Sequence, residues 1–152
     1  MRTIPDPGFA GDTGQVDPEL AAALAVYDAA PDDPEAFRAV LDRLPRTRLL
    51  VPVVAILGEV EHDEQGLAHD KTSDMAAVLM TGRDGRKALL AFTGTAALRA
   101  WDASARPVPV TARHAAQSAL QDEASALLID VAGPAMFVVE GAALRALAGV
   151  GG

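Results

Sequence analysis

The side chains best equipped for chemistry gather between residues 59 and 74. Glu61-His62-Asp63-Glu64 and His69-Asp70 supply imidazole and carboxylate groups, the donors that zinc and hard cations take. Their spacing fits neither the HExxH pair of a helix-borne zinc site nor an EF-hand loop with its closing Glu. The stretch therefore reads as a solvated acidic loop, and no metal or other cofactor is expected. His114 falls opposite the alanine stripe of its helix and is expected to face solvent, without the partner a general base needs. Thr93-Gly94-Thr95 sits between a strand and a helix, where backbone N–H groups can receive an anion or a small ligand. It matches no P-loop or dinucleotide fingerprint, and an ordinary helix cap is the competing reading. No GxSxG occurs, and cysteine is absent, which removes thiol catalysis, zinc-thiolate sites and disulfides.

The chain that must position these groups has 152 residues and a formal net charge of −8. That length suits one globular domain with a core large enough to stand without staples. The acidity argues against nucleic acid as a general partner, because such binding is led by Lys and Arg. It is also local: residues 1–35 hold Arg2 alone against many Asp and Glu, and the stretch 59–74 holds Lys71 alone. Half of the residues are apolar but only 4% are aromatic, Asn is absent, and the lysines are Lys71 and Lys87. Residues with AT-rich codons are thus avoided, which points to a GC-rich bacterial genome. No leader-like or membrane-spanning segment is read in the sequence, so a cytoplasmic protein without a membrane partner is expected.

Residues 1–15, rich in Gly, Pro and Asp, read as a flexible tail, and residues 16–150 as one domain. Asp17-Pro18 and Asp33-Pro34 each start a helix, with Asp as N-cap and Pro in the first turn. Their apolar stripes, Leu20, Ala23, Leu24 and Tyr27, then Phe37, Val40, Leu41 and Leu44, predict a helical hairpin. Leu49–Leu57 reads as a strand, with Pro52 marking an edge position or a bulge. Met75–Thr81 and Lys87–Phe92 form a hairpin around Gly82-Arg83-Asp84-Gly85. Thr95 then caps a helix whose Leu98 and Trp101 pack into the core. Arg106–Val110 is extended, and Thr111 caps a helix with the stripe Ala112, Ala115, Ala116, Ala119 and Leu120. Ala124–Asp130 and Ala135–Val139 make a second strand pair before a last helix that ends at Gly149. Ala96-Ala97-Leu98-Arg99-Ala100 is echoed by Ala142-Ala143-Leu144-Arg145-Ala146, so two ββα units follow one another, whether or not they arose by duplication. The class is α/β, with α+β as the alternative: a mixed sheet of about five strands flanked by helices.

Several of these stretches also occur together in a known family. Leu50-Val51-Pro52-Val53, Lys71-Thr72-Ser73-Asp74-Met75-Ala76, Gly85-Arg86-Lys87-Ala88-Leu89-Leu90-Ala91-Phe92-Thr93, Ala97-Leu98-Arg99-Ala100-Trp101, Pro107-Val108-Pro109-Val110 and Phe137-Val138-Val139-Glu140-Gly141 carry the likeness, in that order. The chain resembles the SseB-like family, specifically the SseB N-terminal domain of the enhanced serine sensitivity proteins, in its actinobacterial form. The resemblance is strongest over residues 49–148. It implies a small α/β domain without an established enzymatic activity and brings no catalytic residues with it. The same name is used for a secretion translocon subunit, but the long apolar or heptad segments of a translocon are missing here.

Within the shared stretches, Lys71, Ser73 and Asp74 form the foremost candidate site, because the lysine stands in an otherwise acidic segment that leads into a strand. Thr93 and Thr95 form the second. The expected function is a non-enzymatic interaction or regulatory module that meets an unknown protein partner near residues 71–75 or along a sheet edge. The alternative is a sensor domain for a small metabolite, and an enzyme of unrecognised type is the remote third reading. A second copy of the chain, in a homo-oligomer, is a further candidate partner.

Overall fold

The computed structural model describes residues 13–55 and 75–150. Asp17 opens helix α1 (Pro18–Ala29) by accepting from the Leu20 N–H at 2.9 Å, and Pro18 occupies the first turn. Asp33 opens α2 (Pro34–Arg43) in the same way, accepting from the Glu35 N–H at 2.9 Å. A 3₁₀ turn, Leu44–Arg46, ends the pair. The two helices pack as the expected hairpin, and Arg43 ties its ends together. Its guanidinium forks onto Asp17 at 2.8 and 3.0 Å and reaches Glu19 at 2.9 Å. The Arg43 hydrogen bonds hold the Asp17 carboxyl below the usual carboxylate range.

Among the described residues seven strands follow, in two sheets. β1 (Arg48–Ala55) lies between β2 (Met75–Ala77) and β5 (Arg106–Thr111), antiparallel to both. The second sheet has the order β3 (Leu79–Thr81), β4 (Lys87–Ala91), β6 (Ala126–Ile129), β7 (Phe137–Glu140), with β4 and β6 parallel and the outer pairs antiparallel. The mixed sheet expected from the sequence is therefore two sheets joined at two points. Leu50 and Phe92 exchange both backbone hydrogen bonds, at 2.7 and 2.8 Å. The single extended run Met75–Thr81 leaves β1 at Ala77 and joins β4 at Leu79, with Val78 between accepting from the Leu90 N–H.

Pro52 is not at an edge, because β1 is the middle strand of its sheet. The proline is tolerated through a gap in pairing. Leu50 turns its N–H to Phe92, Pro52 two residues on presents the same backbone edge, and pairing with β2 begins only at Val53. Pro107 and Pro109 sit on β5, an outer strand, where a missing donor costs least.

The remaining helices among the described residues are α3 (Thr95–Trp101), α4 (Ala112–Gln121) and α5 (Gly141–Ala148). Thr111 caps α4 as expected, its hydroxyl accepting from the His114 N–H at 3.0 Å. The first turn of α3 is different: Gly94 is the cap residue and no side chain caps it. Alternation along the strands builds two cores. Leu49, Val51, Leu89 and Ala91 point into a main core with α1, α2, α4 and α5, where Phe137 contacts Tyr27 and Phe37 at ring separations of 4.9 and 5.0 Å. Leu50, Leu90 and Phe92 point the other way and meet Leu98, with Trp101 packed against them. Strand β4 is covered on both faces from Leu89 onward, which is why residues 88–91 read as an unbroken apolar run after Lys87. Among the described residues, no helix is long and apolar enough to cross a membrane.

Candidate functional site

Strands β4 and β6 run parallel with Ala91 opposite Ile129, so their carboxyl ends lie side by side. Ligand crevices in sheets that contain parallel strands form beyond such ends. Beyond β4 the chain continues through Phe92 into Thr93-Gly94-Thr95 and α3. Beyond β6 comes Asp130, whose N–H donates to Ala91 at 3.0 Å. Asp130 adopts a left-handed backbone conformation, φ 56°, which Asp and Asn accept more readily than other side chains. That conformation turns its carboxylate onto Thr93. Oδ1 accepts from the Thr93 N–H at 2.8 Å and Oδ2 from the Thr93 hydroxyl at 2.7 Å. The two residues are 2% and 4% exposed, the most deeply placed polar pair among the described residues. Burial pushes the Asp130 carboxyl above the usual range, and the two hydrogen bonds from Thr93 partly offset the rise.

A third segment closes over this junction. Gly14 accepts from the Thr95 N–H at 2.6 Å, and Arg48 donates to the Thr93 carbonyl at 2.6 Å and to the Gln15 carbonyl at 2.8 Å. The backbones come this close because both contacting residues are glycines. A Cβ on Gly14 would collide with Thr95 Oγ1, and one on Gly94 would stand 2.9 Å from the Gly14 carbonyl oxygen. The chain expected as tail through residue 15 is thus fixed in place from Gly14 onward.

Between this segment, the open face of α1 and the Thr93–Ala97 turn lies a pocket of about 610 Å³. Ala21, Leu24, Ala25, Ala97, Pro134 and Ala135 give it mostly apolar walls. Asp130 and Thr93 form its polar floor, and Asp28, exposed on α1, marks its rim.

Thr93 and Thr95, read from the sequence as one candidate site, both line this pocket. Two of the N–H groups expected to receive an anion are engaged within the chain. The Thr93 N–H is taken by Asp130 and the Thr95 N–H by the Gly14 carbonyl. Lys71, Ser73 and Asp74, together with the acidic stretch that holds His62 and His69, lie outside the described residues. His114 is exposed, as expected, and does not line the pocket. Sequence reasoning missed Asp28 and Asp130. The signal for Asp130 was present: it is the one charged residue closing the apolar run Ala126–Ile129, where a strand this buried rarely ends on a carboxylate without a partner.

No curated protein and no solved structure is matched by the chain. A family match covers residues 20–146, from the first turn of α1 into α5. It takes in the helical hairpin as well as the stretches that carried the resemblance, and it includes Asp28, Thr93 and Asp130. By that span the chain belongs to the family of the SseB protein N-terminal domain.

Proposed function

We propose that this domain is a small-molecule-binding, regulatory module and that the pocket beyond the carboxyl ends of β4 and β6 is its ligand site. The observation that carries the reading is a pocket of about 610 Å³ with apolar walls and a few convergent polar groups on its floor. Small-ligand sites have this size and composition. The reading is one of binding rather than turnover. Among the described residues, the titratable side chains lining the pocket are Asp28 and Asp130, and the Thr93 hydroxyl is engaged with the carboxylate that also holds its backbone.

A module that recruits a protein by strand addition is the weaker reading. Of the surfaces expected for it, residues 71–74 lie outside the described chain, and among the outer strands β5 carries Pro107 and Pro109, which cannot donate to an added strand. The proposal keeps the actinobacterial source, which the GC-rich residue usage supports, and the cytoplasmic setting expected from the sequence.

A thermal-shift screen of metabolites tests the reading. A ligand at a hundred times its Kd adds about 2.7 kcal/mol to stability. We expect at least one compound to raise the melting temperature and to lose that effect in Ala25→Phe, which fills the rim from an exposed position. No shift across the library, or a shift that survives in Ala25→Phe, overturns it.

A further inference from the structure

We propose that the pocket selects a ligand bearing an ammonium group on a compact apolar body, with Asp28 and Asp130 as its counter-charges. The inference rests on the pocket being a ligand site and adds the charge and shape of what enters it. Among the described residues lining the pocket, the charged side chains are Asp28 and Asp130, and none is basic. Asp130 is 2% exposed and forms no ion pair among the described residues; the hydrogen bonds to its carboxylate come from Thr93 alone among those residues. A carboxylate so placed projects its negative potential into a low-dielectric space where a cation is strongly favoured and an anion repelled.

Two of the donors that would otherwise welcome a carboxylate or phosphate at this turn are spent. The N–H of Thr93 serves Asp130, and the N–H of Thr95 serves the Gly14 carbonyl. A bare metal ion fits no better. Hard cations take about six or more oxygen ligands, whereas Ala21, Leu24, Ala25, Ala97, Pro134 and Ala135 supply hydrocarbon. An organic cation uses both parts of the site, with its ammonium toward the carboxylates and its body against the alanines.

The test uses the full ¹⁵N-labelled chain and matched probes: cyclohexylamine, cyclohexanol and cyclohexanecarboxylate, with n-hexyl and phenethyl counterparts of each. Titrations at neutral pH follow the amides of Ala21, Ala25 and residues 93–97. The amines are expected to bind about tenfold or more tighter than the alcohols, as hydrogen bonds to charged groups exceed neutral ones by that order, and the carboxylates are expected to bind weakest. Asp28→Asn, on an exposed helix position, should weaken the amines about threefold and leave the alcohols unchanged. Alcohols that match the amines, or carboxylates that surpass them, overturn the ammonium assignment and leave the pocket reading standing. If no probe moves these amides at millimolar concentration, both fall.

Discussion

Asp130 brackets Thr93 at two points, one carboxylate oxygen on the N–H at 2.8 Å and the other on the hydroxyl at 2.7 Å. The bracket joins the turn after β6 to the turn that begins α3, and it does so at the floor of the pocket. Two buried donors are satisfied by one side chain, which also lines the pocket.

Asp130→Ala is expected to cost about 2–4 kcal/mol in urea unfolding. It leaves the Thr93 N–H and hydroxyl buried without acceptors and places alanine at φ 56°. Asp130→Asn keeps an acceptor for the N–H, turns an amide toward the hydroxyl oxygen and tolerates the backbone. It should unfold within about 1 kcal/mol of the wild type near neutral pH. Equal losses for the two variants would show that the bracket is not what holds the turn.

The pH dependence separates two carboxylates of opposite sign. The folded-state pKa of Asp130 lies above its unfolded value because of burial. Its contribution is therefore fully present below the ordinary carboxylate pKa of about 3.9 and is lost as pH rises through the folded-state value. Asp17 is lowered by Arg43, so its contribution is present above the unfolded pKa and is lost as pH falls through the folded one. Asp130→Asn should gain on the wild type as pH rises from about 4, while the deficit of Asp17→Asn should shrink below about 4. Chemical unfolding across this range measures both, and parallel curves for the two variants would contradict the assignment.

Local signals carried the fold a long way. The Asp-Pro caps of α1 and α2, the Thr111 cap of α4 and the glycine turn before β4 each encode their geometry within a few residues, so each was readable. The split of Met75–Thr81 between two sheets was not, because nothing at Val78 differs from a continuous strand; the switch is set by which strand lies alongside. Pro52 misled for the same reason: its tolerance depends on where β2 begins. The site was half legible. Thr93 and Thr95 announce a strand-to-helix turn, but the partner of that turn arrives from Asp130 through the parallel pairing of β4 with β6, and its cover arrives from Gly14. Both are long-range contacts between residues with no shared local pattern.

Asp17 and Asp33 are the same capping device in two settings. Each accepts a first-turn N–H, but Asp17 also receives the Arg43 fork. Asp33→Ala should cost about 1 kcal/mol, the worth of a cap. Asp17→Ala should cost more, and the excess should vanish in an Arg43→Ala background. A double-mutant cycle on urea midpoints measures it, and equal costs for the two caps would mean that the fork contributes nothing to the hairpin.

Gly94 and Gly85 should fail for different reasons when changed to alanine. Gly94 has an extended backbone that any residue adopts, φ −163°. Its difficulty is space: a Cβ there would stand 2.9 Å from the Gly14 carbonyl oxygen and 3.0 Å from the Val16 nitrogen, and both are backbone atoms that cannot swing aside. Gly94→Ala must therefore push the N-terminal segment away, weakening the 2.6 Å hydrogen bond from the Thr95 N–H to Gly14. Overpacking of this kind costs about 1–3 kcal/mol, and the Thr95 amide should exchange faster with solvent. Gly85 has open space around it, and its difficulty is φ +85° alone. Gly85→Ala should cost about 1 kcal/mol through backbone strain in the hairpin while leaving Thr95 exchange and the pocket amides untouched. The pairing of the two variants makes the outcome decisive: faster Thr95 exchange in Gly94→Ala and not in Gly85→Ala ties the pocket's cover to the glycine contact, whereas unchanged exchange in Gly94→Ala would show that the segment is held elsewhere.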